Sequence, residues 1–435
     1  MNSKFFKIFT SLLALLLMVN ISTSMAAEGN NPSIWKSKKP QQKIDTLKYN
    51  VYHGKIVDAS SKKALMFATI TVQGSNLATV SNSDGEFLLK IDKTHPAKNL
   101  LITYIGYKNK EVAIASLVSK KNTIRMESAA VPLGEVNIYP HDPEFLMKSL
   151  LRKVKENYST QPNMMTGFYR ETIKKNRSYV GIAEAVVNIH KTAYTNLQND
   201  QVQIYKGRKS SDVKRMDTLL FKLQGGPATS LLLDVIKHPF TLLSEDFLAN
   251  YNYKLSNITK INDQLHYVID FQQKPGIDFP LYYGTFYIET ENLALTSAKF
   301  SLNLENKTEA TKLFIRKKPV GVKVTATSAN YIVNYHQQNG KWYFNYARGE
   351  IKFKCNWKRK WFNTNYSAMS EIAITNRSDE NITKFKPKDR FKKTHVLNDQ
   401  VQFFANDDFW GANNTIEPDQ SIETAIKKLK RKARK

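Results

Sequence analysis

The pattern nearest to a metal-binding motif is His141-Asp142-Pro143-Glu144, which has the His-x-x-Glu spacing of a zinc ligand pair. His190 or His238 would have to supply the third ligand. Pro143, however, puts the pair where a helix begins, and Asp142 serves there as an ordinary helix cap. The other histidines form no His-Glu-x-x-His pair. We therefore predict neither a metal nor another cofactor.

Catalytic motifs with a fixed geometry are missing from the sequence. It contains no Gly-x-Ser-x-Gly elbow, no phosphate-binding loop and no dinucleotide fingerprint. Gly225-Gly226-Pro227 is typical of a turn. We predict no catalytic residue and a protein that is not an enzyme. The alternative is a hydrolase, because acidic pairs such as Asp407 and Asp408 are present and one sequence does not show which side chains converge in space.

A cationic ligand-binding patch is the best candidate site. Arg170 and Glu171 follow an aromatic run, and three cations cluster around Gly207. The candidate ligand-binding residues are Arg170, Glu171, Lys206, Arg208, Lys209 and Trp410. The structural alternative is a set of solvated strand edges with one ion pair. Trp410 would then anchor the C-terminal tail on the domain.

The net charge indicates which chemical class of molecule this protein is expected to bind. The chain has 65 Lys and Arg against 38 Asp and Glu, which gives a formal charge of +27. Such a surface attracts polyanions, but no nucleic-acid-binding motif is present and we predict no nucleic acid partner. The alternative is that lysine keeps a large β-sheet surface soluble and its edges unpaired.

The N-terminus predicts export. Lys4 and Lys7 precede an apolar run over 12–19, and small residues follow up to Ala27, as in a cleaved signal peptide. The run is shorter than the about 20 apolar residues that a bilayer-spanning helix needs, and no later segment is longer, so we expect no transmembrane helix in the mature chain. The single cysteine, Cys355, excludes an intramolecular disulfide and lies far from the cleavage site, where a lipid anchor would require it.

Residues 50–128 have the pattern of a small β-sandwich. Seven short strand-like runs alternate with turns, of which Asn82 to Phe87 and Ile105-Gly106-Tyr107 are the clearest. The preceding residues, 28–49, are polar and rich in lysine and are predicted to be a flexible lead-in.

These runs resemble the carboxypeptidase-regulatory-like domain, a prealbumin or transthyretin-like sandwich found in envelope proteins of Gram-negative bacteria. The resemblance covers nearly all of 51–127 and rests on four segments: Gly54 to Asp58, Ala68 to Gly74, Ser83 to Phe87 and Tyr104 to Tyr107. Ala64 departs from it, because the family usually has proline there. The resemblance implies an accessory or docking module and not a peptidase.

After a linker over 129–142, the region 143–435 is predicted to be a larger β-rich α+β domain. Apolar residues at helical spacing predict a first helix over 143–158, and Asn339-Gly340 between alternating runs predicts a hairpin. Ile351, Phe353, Cys355 and Trp357 alternate with polar residues, so one face of that strand is apolar. The chain ends in a basic amphipathic helix.

The fold class is therefore mostly β: an N-terminal Ig- or prealbumin-like sandwich followed by an α+β domain with a curved antiparallel sheet. The second region also resembles an uncharacterised family that often follows this sandwich, through segments such as Gly167 to Glu171 and Asp408 to Gly411. The rhythm of its long strands is similar to the half-barrel of periplasmic lipoprotein carriers.

Together these features predict a non-catalytic exported envelope protein, in the periplasm or associated with the outer membrane. Its expected role is binding or assembly, with peripheral membrane contact. The expected partner is an envelope lipid, lipopolysaccharide or glycan, or another envelope protein. The alternatives are a hydrolase of envelope glycan or peptide, and an accessory module that docks on an outer-membrane receptor.

The export signal, residues 1–27, gives the first testable prediction. Because a cleavage site follows the apolar run, the mature protein should begin near Ala27 or Glu28. N-terminal sequencing of protein recovered from the cell envelope measures this directly. Recovery of envelope protein that retains Met1 would contradict it.

Overall fold

The computed structural model describes residues 18–22, 48–119, 121–129, 142–211, 220–239, 242–261, 264–318, 320–358, 361–403 and 409–433. Predicted linker residues 130–141, including His141, lie outside this part, as do Asp407 and Asp408. The first eight strands are β1 (Met18–Ser22), β2 (Tyr49–Asp58), β3 (Thr69–Val72), β4 (Ala78–Val80), β5 (Glu86–Asp92), β6 (Asn99–Thr103), β7 (Lys110–Ala113) and β8 (Asn122–Met126).

The remaining strands belong to the larger domain. They are β9 (Asn163–Lys175), β10 (Ser178–Lys191), β11 (Gln201–Ser211), β12 (Leu220–Gln224), β13 (Tyr251–Ile261), β14 (Gln264–Gln273), β15 (Tyr282–Glu289), β16 (Leu295–Leu302), β17 (Ile315–Lys317), β18 (Val322–Gln338), β19 (Lys341–Trp357), β20 (Thr364–Ser378) and β21 (Gln402–Phe403). The α-helices are α1 (Pro143–Arg152), α2 (Val154–Asn157), α3 (Gly226–Ser230), α4 (Glu245–Leu248), α5 (Lys307–Phe314), α6 (Leu397–Gln400) and α7 (Gln420–Ala433). Short 3-10 helices span Ile114–Ser116 and Leu231–Leu233.

Strands β2 to β8 form the predicted sandwich. One sheet has the order β5-β2-β8 and the other β4-β3-β6-β7. Phe87 is fully buried between them, as predicted. It lies against Gly54, where an added Cβ would come within 2.5 Å of the ring, so only glycine leaves room for it. The turn before Phe87 is held by Asn82, whose Oδ1 accepts hydrogen bonds from the amides of Asp84 and Glu86 at 2.9 and 2.8 Å.

The larger domain is built on one curved sheet with the order β13-β14-β15-β16-β18-β19-β20-β9-β10-β11-β21, antiparallel except for the β11–β21 pair. The predicted hairpin joins β18 to β19, with φ of 49° at Asn339 and 74° at Gly340. The predicted alternation along β19 is also present. Ile351, Phe353 and Cys355 are buried, and burial raises the pKa of the Cys355 thiol to about 12, so this thiol is inert.

The two faces of this sheet have different coverings. We call the face that carries Tyr169, Ile189 and Phe286 the inner face; it packs against the helices and forms the largest hydrophobic core. We call the face that carries Phe168 and Tyr346 the outer face; it is covered by the sandwich, by the tail segment, residues 409–419, and by α7, whose Ile422 and Ile426 pack against Ile182.

The predicted first helix is divided into α1 and α2 at Lys153, which has a φ of −89° and a ψ of 2°. Its predicted cap is present, because the Asp142 side chain accepts a hydrogen bond from the Glu144 amide at 3.0 Å. This capping role is the one that the sequence favoured over zinc binding. Among the described residues, no group of His, Cys, Asp and Glu side chains is arranged to hold a metal ion.

Strand β1 lies within the segment that the sequence predicts to be a cleaved signal. It pairs antiparallel with β12 and parallel with β17, in a small three-stranded sheet. Cleavage near Ala27 would remove this middle strand. None of the helices in the described ranges is long and apolar enough to cross a membrane.

The burial of Phe87 yields a stability prediction. Phe87→Ala should lower the free energy of unfolding by about 3 to 5 kcal/mol, because it removes a fully buried ring from the sandwich core. Phe362→Ala is the matched control, since this ring is 86% exposed, and it should change the value by less than about 0.5 kcal/mol. Urea unfolding of the full chain gives both numbers; equal effects would contradict the buried position.

Candidate binding site

A row of alternating charges crosses the outer face of the sheet. The register of five neighbouring strands, β11, β10, β9, β20 and β19, brings the members side by side. In that order they are Arg208, Glu184, Arg170, Glu371 and Arg348, which we call the charge row. Arg170 lies at its centre, with Nε 2.8 Å from a Glu184 carboxylate oxygen and Nη1 3.2 Å from Glu371. Each neighbour in the row thus has the opposite sign, which is favourable across adjacent strands.

The centre of the charge row is closed off from water, while Arg208 and Arg348 at its ends are 11% and 21% exposed. Arg170 and Glu184 are at most 1% exposed, and Nη2 of Arg170 donates a hydrogen bond to the carbonyl of Ile416 in the tail segment at 2.8 Å. Burial by itself raises the pKa of the Glu184 carboxyl, but the guanidinium groups of Arg170 and Arg208 outweigh burial and the pKa is lowered. Glu184 is therefore favoured in its charged form under this cover.

The sandwich and the tail segment complete this cover. The ring of Phe67 stacks on Tyr346 with centroids 5.3 Å apart, and the guanidinium of Arg348 lies 5.2 Å from the Phe67 centroid. The tail is tied to the sandwich by Asn414, which accepts from the Lys90 amide at 2.7 Å and donates to the Lys90 carbonyl at 3.1 Å. The sandwich, the tail and the sheet are thus joined through one buried surface.

The residues that the sequence proposed as a ligand site are divided between the two faces. Lys206 and Arg208 lie on the outer face, where their charged groups are 4.8 and 5.7 Å from the ring of Phe409. Trp410 is 8% exposed and packs edge-on against Phe168, which is the anchoring role considered above. Ligand binding by these residues stays a prediction; in this structure the outer-face members contact the chain's own side chains.

Arg170 and Glu171 do not form an ion pair, because adjacent residues of a strand point to opposite faces. Glu171 lies on the inner face, where its Oε2 accepts a hydrogen bond from the Tyr169 hydroxyl at 2.8 Å. Burial raises the pKa of the Glu171 carboxyl to about 8. Lys209, also on the inner face, donates to the carbonyl of Asn398.

A second buried ionic group was not recognised in the sequence. The Lys191 ammonium lies 2.7 Å from Asp200 and 2.6 Å from Asp234, and all three side chains are at most 2% exposed. Tyr335 donates to Asp234 at 2.8 Å. Because Lys191 bridges the two carboxylates within the protein, we interpret the group as a structural connection of the inner face and not as an acid–base pair.

An open cleft of about 180 Å³ lies where the sandwich meets the outer face. Its apolar wall comes from both domains: Met66, Phe67, Tyr104 and Ile105 from the sandwich, and Ile261 and Ile332 from the sheet. Its hydroxyl and amide groups belong to Thr69, Thr103, Thr296, Ser297 and Asn334. A hydrogen bond from the Gly106 amide to the Lys260 carbonyl, 3.2 Å long, holds the loop that carries Tyr104 and Ile105 against the end of β13.

Lys299 supplies the charge of the cleft. Its side chain is exposed, its ammonium group lies 5.6 Å from the centroid of the Tyr287 ring, and desolvation by the surrounding protein lowers the pKa of that group. No described carboxylate forms an ion pair with it. Lys299 alternates along β16 with the buried Ala298 and Phe300, which direct it to the outer face. The sequence did not single it out, because it is one lysine among many in a strand-like run.

The indole of Trp342 is a further feature of the cleft lining. Trp342 is 1% exposed, and its Nε1–H has no hydrogen-bond partner among the described residues. Buried polar groups are rarely left unpaired, and each costs about 1 to 3 kcal/mol. The described lining contains no carboxylate, imidazole or thiol. With Lys299 and its apolar wall, the cleft is equipped to bind an anion that carries an apolar portion.

A comparison with protein-family models identifies a known domain in the N-terminal part of the chain. Residues 52–138 match the family model of the CarboxypepD_reg-like domain, which confirms the resemblance predicted from the sequence and extends it into the predicted linker. No curated protein matches the chain.

The solved structures that match this chain have low similarity to it. A DUF1329 family protein from Desulfovibrio piger is 9% identical, with a TM-score of 0.25, and the alignment covers 56% of this chain and 96% of that one. A domain from Vibrio parahaemolyticus named for outer membrane lipoprotein sorting is 9% identical, with a TM-score of 0.22 and coverages of 57% and 97%. Lipovitellin is 8% identical, with a TM-score of 0.26 and coverages of 58% and 28%. TM-scores of this size carry no argument about function.

The raised pKa of Glu171 predicts a pH dependence of stability. Between the ordinary pKa of 4.5 and about 8, the unfolded chain loses the Glu171 proton while the folded chain keeps it. The folded state then binds more protons, so its stability falls as pH rises through this range. Glu171→Gln should remove this component, so the stability of the variant relative to the natural chain should rise by about 4 kcal/mol between pH 4.5 and pH 8.

Urea unfolding at a series of pH values measures this difference. Gln can still accept the hydrogen bond from Tyr169, so the variant keeps that contact. The control is Glu291→Gln, at an exposed position, which should leave the pH profile of the natural chain unchanged. A constant difference between Glu171→Gln and the natural chain across the series would contradict a buried, protonated Glu171.

Proposed function

We propose that this protein is a non-catalytic, exported envelope protein that binds an anionic amphiphile in the cleft between its two domains. The observation that carries the proposal is Lys299, a cation without a carboxylate partner among the described residues, set in a cleft with an apolar wall. An anionic headgroup would pair with the ammonium, and an apolar chain would lie against Ile332, Phe67 and Ile105. Envelope lipids and lipopolysaccharide have both parts.

The size of the cleft limits what it encloses. Pockets that surround whole drug-sized molecules measure roughly 300 to 1,000 Å³, and this cleft has about 180 Å³. It therefore suits the headgroup end of a lipid with the first part of one chain, while the rest of the chain extends through the opening.

The proposal is consistent with the charge of the whole chain. A formal charge of +27 raises the local concentration of anions around the protein. This attraction between exposed charges is screened over about 8 Å at physiological ionic strength. The contribution of the apolar wall is not screened, so we expect salt to weaken binding without abolishing it.

The proposal also addresses the alternatives. A sheltered carboxylate pair would favour a hydrolase, and the described lining of the cleft contains no carboxylate. A docking role for the sandwich is compatible with the proposal, because this domain already docks on the chain's own sheet through Phe67 and Thr69, with Asn345 donating to Thr69 Oγ1 at 3.1 Å.

Equilibrium titration with dansylaminoundecanoate, a fluorescent anionic fatty acid, tests the cleft. The natural chain should bind this acid. 1-Dodecanol, which has no negative charge, should displace the acid by binding to the apolar wall alone. Lys299→Met removes the charge and keeps an unbranched apolar stem, so we expect the affinity for the acid to fall about 10- to 100-fold, the range for a hydrogen bond to a charged group. The affinity for dodecanol should stay within about threefold.

Lys254→Met is the matched control, because Lys254 is an exposed lysine on β13, seven residues before Ile261 of the cleft and about 24 Å from it along the strand. It should bind the acid like the natural chain. Two results would overturn the proposal: no binding of the acid by the natural chain, or equal losses in the Lys299 and Lys254 variants.

A further inference from the structure

Three loops meet at the end of the sheet that lies farthest from the cleft. The β9–β10 turn is joined to β20 by a hydrogen bond from the Asn176 amide to the Asn365 carbonyl, 2.7 Å long. The loop before β18 is joined to the end of β19 by a hydrogen bond from the Lys358 amide to the Gly321 carbonyl, 3.1 Å long. These contacts place the three loops side by side.

Large apolar side chains project from two of these loops without protein contacts to cover them. Trp361 is 98% exposed, Phe362 is 86% exposed and Val320 is 103% exposed. Single exposed apolar residues are common on protein surfaces, but adjacent ones on neighbouring loops are not. Two aromatic rings at a loop tip, fully open to water, require an explanation.

The charge around them has one sign. Lys318, Lys358 and Arg177 are exposed on the same three loops. The segments 172–183, 315–330 and 351–370, which include the loops and the strand ends that carry them, contain no Asp or Glu. We call Val320, Trp361, Phe362, Lys318, Lys358 and Arg177 the tip surface.

We propose that the tip surface docks the protein on an anionic lipid membrane. Tryptophan is favoured at the headgroup level of a bilayer, where its apolar body leaves water and its N–H keeps polar neighbours. Cations beside it meet the anionic headgroups. Three exposed apolar side chains form a small patch, which fits insertion between headgroups better than a protein interface that typically buries about 800 Å² on each partner.

The tip surface and the cleft are separate sites. Ile332 of the cleft and Val322 beside the tip are ten positions apart on the same strand, β18, which corresponds to about 34 Å at the usual rise of a strand. Docking by the tip therefore goes beyond the function proposed for the cleft. It would hold the cleft away from the membrane plane, with its opening accessible to a single amphiphile.

Sedimentation with phosphatidylcholine vesicles, with and without phosphatidylglycerol, tests the docking. The natural chain should bind the anionic vesicles, and more weakly at high salt. Trp361→Ala/Phe362→Ala should lower partitioning at least tenfold, or about 1.4 kcal/mol, because it removes the inserting rings. Lys318→Gln/Lys358→Gln should weaken binding to anionic vesicles and reduce its salt dependence.

Leu197→Ala/Tyr205→Ala is the matched control. These side chains are 74% and 64% exposed, and Leu197 lies in the connection at the other end of β10 from the β9–β10 turn. This variant should sediment like the natural chain. A spectroscopic readout adds to it: brominated lipid should quench the fluorescence of the natural chain, and Trp361→Phe should bind vesicles but lose most of this quenching.

The vesicle and fatty-acid measurements distinguish membrane docking by the tip surface from ligand binding in the cleft. Loss of vesicle binding in the Trp361/Phe362 variant, with normal binding of dansylaminoundecanoate, supports docking by the tip whether or not Lys299 binds a ligand. The docking proposal is overturned if the natural chain does not bind anionic vesicles. It is also overturned if the control variant loses as much binding as the tip variant, or if quenching persists in Trp361→Phe.

Discussion

The arrangement of the molecule depends on the charge row, which must be covered and fully paired at the same time. Removing several charges from water costs several kcal/mol for each ion unless partners replace the solvent. Arg170 has three such partners in Glu184, Glu371 and the carbonyl of Ile416, and only the last belongs to the tail segment. The sheet can therefore close this surface only when the tail is in place. Because the tail is also bonded to the sandwich through Asn414, the charge row couples the positions of both domains.

This coupling gives the two faces of the sheet different roles. The inner face is filled by helices and by buried side chains such as Tyr169 and Phe286, and it resembles an ordinary protein core. The outer face is instead covered by the sandwich domain, through contacts such as the stacking of Phe67 on Tyr346. The cleft beside Lys299 lies along this contact, with one wall from each domain. Its shape is thus set by how the sandwich is held, and the distal loops that carry Trp361 and Phe362 remain free of that contact.

Features that depend on neighbouring residues were predictable from the sequence, and those that depend on strand pairing were not. The burial of Phe87, the turn at Asn82 and the hairpin at Asn339-Gly340 follow from local alternation and turn chemistry. The partners of Arg170, by contrast, lie 14 and 201 positions away, at Glu184 and Glu371, and no local pattern gives the register that joins them. The opposite orientation of Arg170 and Glu171 was predictable, because adjacent residues of a strand point to opposite faces of the sheet. Lys299 carries no local signal, since the wall of its cleft comes from a different domain.

The central claim is that both domains bind one ligand in a cleft that exists before the ligand arrives. Hydrogen–deuterium exchange of the full chain tests this claim most directly. The exchange is measured with and without a saturating anionic fatty acid, kept below its micelle concentration. The account predicts that amides of two distant segments gain protection together: Thr103 to Gly106 in the sandwich, and the strand region around Lys299 and Ile332 in the sheet. Amides near the tail residue Ile416 should change little, because the charge row already holds the tail in the free protein. Protection confined to one domain, or centred on the inner face around Leu231–Leu233, would contradict it.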